Sequence, residues 1–195
     1  VTPRRAQRAP SQTWPGALAL ALALALSACA TPAPPERSTS GRFAAIAELG
    51  ERRESVSGRF TVEVRGALQS IELATPVGTT VARIEIEPGR ASATGPQMQT
   101  TTGPDADDLV LRAIGWRLPV AGLPDWIEGR PAPQRPARTE REGNRISLIE
   151  QDGWTIRIQE VSATTERPRR LLLERPGNGI DPAVSVRLIV DEPAS

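Results

Sequence analysis

The sequence contains no histidine, no tyrosine and no lysine, and its single cysteine is Cys29. Without histidine there is no Ser-His-Asp triad, no Cys-His dyad and no histidine-rich zinc site. One cysteine permits neither an internal disulfide nor a cysteine cluster for zinc or iron–sulfur. No metal or other cofactor is expected, and no residue is assigned a catalytic role. Aromatic residues make up 3% of the chain, too few for a stacking platform on single-stranded nucleic acid. The 24 cations are all arginine, they are spread along the chain, and 23 acids oppose them. A net charge of +1 leaves no broad electrostatic footprint for nucleic acid. Carboxylate-only hydrolysis has candidates in Asp105, Asp107 and Asp108, but three neighbouring acids suit a solvated helix start far better. At 195 residues the chain is long enough for one domain with a sizeable core.

What is present begins with an export signal. Arg4, Arg5 and Arg8 precede an alternating Ala/Leu run from Ala17 to Leu26, and no acid occurs before Glu36. A positive n-region, an apolar h-region and a small-residue cleavage site make a signal peptide over residues 1–28. Leu26-Ser27-Ala28-Cys29 resembles the lipobox of bacterial lipoproteins. That resemblance makes Cys29 the lipid attachment site, its thiol carrying diacylglycerol and its freed amine a further acyl chain. Three chains exceed the two signals needed for stable anchoring. Lipoproteins kept in the inner membrane typically resemble Cys-Asp at this junction; Ala30 points to the outer membrane. The Pro/Ser-rich stretch 29–40 reads as a tether, and 41–195 as a single domain.

From Gly41 to Glu54 the spacing of Phe43, Ile46, Ala47 and Leu49 predicts a helix. Beyond Gly58 the period becomes two. Phe60, Val62 and Val64 share a face, as do Ala82, Ile84 and Ile86; so do Trp154, Ile156 and Ile158, and near the end Val184, Val186, Leu188 and Val190. Leu171–Leu173 is a further strand, with weaker signals at 68–74 and 146–149. One apolar and one wet face per strand indicates an antiparallel sheet. Mid-chain, Asp105 can cap a helix carrying Leu109, Val110, Ala113 and Ile114 and ending at Gly115. Leu123–Gly129 reads as a short helix with Pro124 at its first turn. Arg130 to Arg145 reads as a long mobile loop. The fold class is mainly β with α: a curved antiparallel sheet and about three helices. Periodicity leaves two options, a solid core against the helices or an apolar cavity beneath them. In Thr75-Pro76-Val77-Gly78, Pro at the second place and Gly at the fourth fit a type I turn with Val77 at its corner, tucked under the sheet or offered to a partner.

Seven short motifs occur in an order that resembles the LolB family: Gly58-Arg-Phe60, Thr75-Pro-Val-Gly-Thr-Thr80, Pro88-Gly89, Gly115-Trp-Arg-Leu-Pro-Val120, Leu123-Pro-Asp-Trp126, Gly129-Arg-Pro131 and Gly153-Trp154. The resemblance runs from about Gly41 to about Asp191. It implies an open half-barrel capped by helices around an apolar cavity, as in LolA and LolB. It implies a receptor, not an enzyme, that accepts lipoproteins from the periplasmic carrier LolA and places them in the inner leaflet of the outer membrane without covalent chemistry. The protein would then be a lipid-anchored monomer facing the periplasm, with LolA, lipoprotein acyl chains and the membrane as partners. The acyl-chain cavity is expected from Phe60, Val62, Val64, Ile84, Ile86, Trp154, Ile156, Ile158, Val186 and Leu188. A membrane-facing loop is expected at Pro76, Val77 and Gly78, where the family typically has Leu in Pro-Leu-Gly. The other reading is an outer-membrane lipoprotein of similar fold with a structural or lipid-binding role.

Overall fold

The computed structural model describes residues 34–192, residue 97 excepted. The expected signal peptide, Cys29 and the start of the tether lie outside the described residues. Two long central strands open the fold. β1 (Arg37–Leu49) turns at Gly50 into β2 (Arg52–Arg65). Gly50 has φ 59°, which supplies the positive φ of a two-residue hairpin turn. The chain then meanders outward through β3 (Leu68–Ala74), β4 (Thr80–Glu87), β5 (Arg90–Gly95) and β6 (Met98–Gly103). It crosses to the opposite edge through α1 (Ala106–Ile114) and α2 (Leu123–Trp126). From there it meanders back through β7 (Ala137–Glu142), β8 (Arg145–Gln151), β9 (Trp154–Val161), β10 (Pro168–Arg175) and β11 (Ala183–Val190).

All eleven strands form one antiparallel sheet in the order β6-β5-β4-β3-β2-β1-β11-β10-β9-β8-β7. Its only pairing between strands distant in sequence is β1 with β11, from Gly41 opposite Val190 to Glu48 opposite Ala183. The sheet is open, with β6 and β7 as its edges. The segment joining those edges must pass over one face, and it carries both helices. α1 lies on β4, β5 and β6, and α2 against β2. This is the expected open antiparallel half-barrel with a helical cap.

The core occupies the face beneath the crossover. Phe60 and Val62 of β2, Ile71 of β3, Ile156 of β9, Leu171 and Leu173 of β10 and Val186 and Leu188 of β11 are all buried in it. Their neighbours in sequence lie on the other face, as the period of two requires. Every strand foreseen from that period is present, including the two weaker ones.

Three expectations change. Residues 41–54 are not a helix but most of β1, the hairpin turn and the start of β2. The inward positions of β1 are Gly41, Phe43, Ala45 and Ala47. Glycine and alanine blur the period of two, and the Ala/Glu/Arg content favours helix locally. Hydrogen-bond ladders to β2 and β11 on both sides outweigh that preference. The expected loop 130–145 contains β7, whose six residues are all exposed and mostly charged. A charged edge strand shows no apolar period, yet one ladder to β8 holds it. Finally, β1 takes up residues 37–40 of the stretch read as tether.

Candidate functional site

An apolar hollow of about 360 Å³ opens between the β1–β5 wing and the crossover. Phe43, Leu73 and Ile84 form its sheet side; Val110, Trp116 and Leu118 form its helical side. Half-exposed Val56 and Val81 stand at its mouth, with Glu54 and Ser55 as its polar border. Almost nothing in the lining can hydrogen-bond. The site can therefore exclude water from a hydrocarbon chain.

The helical wall is tied down by polar contacts outside the hollow. Asp105 caps α1, its Oδ1 accepting from Asp108 N–H at 2.9 Å. Gly115 ends the helix at φ 87° and donates to the Leu111 carbonyl. Asp107 accepts from Ala121 N–H at 2.8 Å, and Arg117 donates to Asp108 at 2.8 Å. The three acids thus serve the start of α1 and its junction with the 116–121 segment. Burial pushes the Asp107 carboxyl up to about 6; the Ala121 amide acts against that, and Asp105 reinforces it.

The second half of the crossover is pinned by Gln151. Its Oε1 accepts from Trp126 Nε1–H and Ala132 N–H, each at 2.8 Å. Its Nε2 donates to the carbonyls of Ala132 and Arg135 at 2.9 and 3.1 Å. Buried Asp125 pairs with Arg130 at 2.7 Å. The Leu-Pro-Asp-Trp and Gly-Arg-Pro motifs are therefore parts of one anchor.

Among the ten residues expected to line a cavity, Ile84 alone borders this hollow. Phe60, Val62, Trp154, Ile156, Val186 and Leu188 are packed in the core, Val64 is buried beside it, and Ile86 and Ile158 are half-buried against it. The hollow is shifted toward one end of the β1–β5 wing. Its other lining residues were not foreseen. Leu73 and Val110 carried a signal in their strand and helix periods; Trp116 and Leu118 sit inside the 115–120 motif.

The expected loop lies on the same sheet end. Thr75 and Thr79 close it: Gly78 N–H donates to the Thr75 carbonyl at 2.9 Å, and Thr75 N–H to the Thr79 carbonyl at 2.8 Å. Gly78 at φ 94° takes the left-handed position that follows a turn in a three-residue hairpin loop. Val77 is not tucked under the sheet but 90% exposed.

The family model described as outer membrane lipoprotein LolB matches residues 36–192. The chain belongs to the LolB family. The outer-membrane lipoprotein LolB of Cupriavidus pinatubonensis is 39% identical over 163 residues, 80% of this chain and 78% of that protein. That of Thiobacillus denitrificans is 35% identical over 171 residues, 84% of this chain and 88% of that protein. Among solved structures, a LolA superfamily protein from Nitrosomonas europaea matches at TM-score 0.45 and 11% identity, covering 82% of this chain and 86% of that one.

Proposed function

We propose that this LolB-family chain is an outer-membrane lipoprotein, anchored through Cys29 and facing the periplasm, that receives lipoproteins from LolA and inserts them into the inner leaflet. Three acyl chains carry on the order of 45 methylene groups, and exposing them to water would cost about 35 kcal/mol. Such cargo must pass from one apolar hollow to another and then into a bilayer. The observation that carries the reading is the open hollow walled by Phe43, Leu73, Ile84, Val110, Trp116 and Leu118. Aliphatic and aromatic walls bind by area and release by area, so no covalent step is needed. The Val77 tip beside it, fully offered to solvent on a closed turn, supports membrane contact at release.

Depletion of the protein tests this. Lipoproteins should accumulate on the soluble carrier in the periplasm. Unchanged outer-membrane lipoprotein content would overturn the reading.

A further inference from the structure

The lining of the hollow contains one charge. Apart from the Trp116 indole, only Glu54 and Ser55 bring polar side chains to it, and Glu54 alone is ionisable. Glu54 stands on the inward face of β2, two residues before Val56 at the mouth and opposite Ala47 of β1. Among the described residues no hydrogen bond or ion pair engages its carboxylate. The next residue, Arg53, is taken by Glu48 at 3.4 Å. Arg52 shares the strand face with Glu54 and borders a shallow groove beyond Trp116, but it does not line the hollow. An exposed carboxylate is thus left unpaired at the entrance to an apolar space.

What that charge does rests on the proposed function. A receptor held at a bilayer is surrounded by phospholipids, whose acyl chains have the same chemistry as those of the cargo. Walls that bind by area cannot tell the two apart, so discrimination must come from the heads. A phospholipid head carries an anionic phosphodiester. The acylated cysteine of a lipoprotein carries esters, a thioether and an amide N–H, and no charge. A carboxylate at the mouth repels the first and accepts a hydrogen bond from the second. Ser55 both donates and accepts, so it serves either head alike.

We propose that Glu54 is a specificity-determining residue of the hollow, which admits the uncharged lipid of an acylated cysteine and turns away anionic phospholipid. Two like charges about 4 Å apart repel by about 1 kcal/mol in bulk water, about fivefold in affinity, and by more beside an apolar wall. The selectivity acts by repulsion of the wrong ligand, so the apolar contacts of the right one are unchanged.

Quenching of Trp116 fluorescence by brominated single-chain probes tests this. A methylene is about the size of a water, whose share of liquid is about 30 Å³, so a chain of about twelve carbons fills the hollow of about 360 Å³. One probe has an N-alkylacetamide head and the other a methyl phosphodiester head, on the same chain brominated at its end. The full chain, made by cell-free translation so that Cys29 is unmodified, carries Trp14→Phe. Trp126 and Trp154 are buried in the core, so Trp116 reports the hollow. Glu54→Gln keeps the size and removes the charge, and an exposed position tolerates it. It should tighten the phosphodiester at least about fivefold and change the amide less than about twofold. Salt at about 1 M should narrow the difference between the two proteins. An unchanged phosphodiester affinity, or an equal gain for both probes, overturns the role of Glu54 and leaves the function standing. No quenching by either probe before Glu54 is changed overturns both.

Discussion

The ring of Phe60 covers Gly41, its partner across the β1–β2 ladder, and two residues along the ring of Phe43 covers Gly58. A Cβ on Gly41 would stand 2.7 Å from the Phe60 ring and 2.3 Å from the Ile189 carbonyl oxygen. The two glycines leave room for the two rings, one of which packs in the core while the other walls the hollow. Gly41→Val should therefore destabilise the fold by about 1–3 kcal/mol, measured by urea unfolding, by overpacking a site with backbone on one side.

Asp107 sets a pH dependence. Its folded-state pKa of about 6 lies above its ordinary 3.8. The folded protein therefore binds a proton that the unfolded chain has already released between those values. The stability this contributes is complete below about pH 4 and lost as pH rises through 6. Asp105 and Arg135 are the charged groups that act on it. Asp107→Asn keeps an acceptor for Ala121 N–H without the buried charge. It should flatten stability between pH 4 and 7 and raise it at pH 8, on the order of 1 kcal/mol. An unchanged pH profile of the thermal midpoint would refute this.

Gln151 holds the crossover through four hydrogen bonds. Gln151→Leu leaves the Trp126 indole N–H and both polar groups of Ala132 without these partners in a buried site. A loss of about 3 kcal/mol in denaturant unfolding is expected. Faster hydrogen exchange in segment 123–136 should accompany it, since that is the segment the side chain restrains.

Val77→Glu should leave stability within about 0.5 kcal/mol, because the side chain makes no buried contact. Transfer of lipoprotein from the carrier to this protein should continue, and onward transfer to liposomes should fall. Val77→Leu should match or exceed the wild type in that second step. Equal delivery by the Glu variant would remove Val77 from the membrane-facing loop.

Cys29→Ala should release the protein from membranes on fractionation, because on the proposed function Cys29 carries the anchoring acyl chains. Retention of the Ala variant in the outer-membrane fraction would show a different anchor.

Strands with Val and Ile at every second position were legible, because one buried face imposes that period directly. Phe60-Thr-Val-Glu-Val64 and Val184-Ser-Val-Arg-Leu188 are examples. β1 was not legible, because glycine and alanine occupy most of its inward positions and its stability comes from two neighbouring ladders. β7 was not, because its exposed Arg-Thr-Glu-Arg-Glu carries no buried face at all. The turn chemistry at Thr75–Thr79 was readable from Pro76 and Gly78, but the outward direction of Val77 was not.

The antiparallel class and the apolar character of the inner face follow from residue order alone, since hydropathy and strand period are local properties. The location of the hollow does not. It depends on the path of the crossover between the sheet edges: Trp126 and its anchor fill the space over β2, whereas α1 and Trp116 stand away from Val56 and Val81 and leave room. Side chains of identical character, such as Ile84 and Ile156, become a wall or solid core according to what the crossover sets above them.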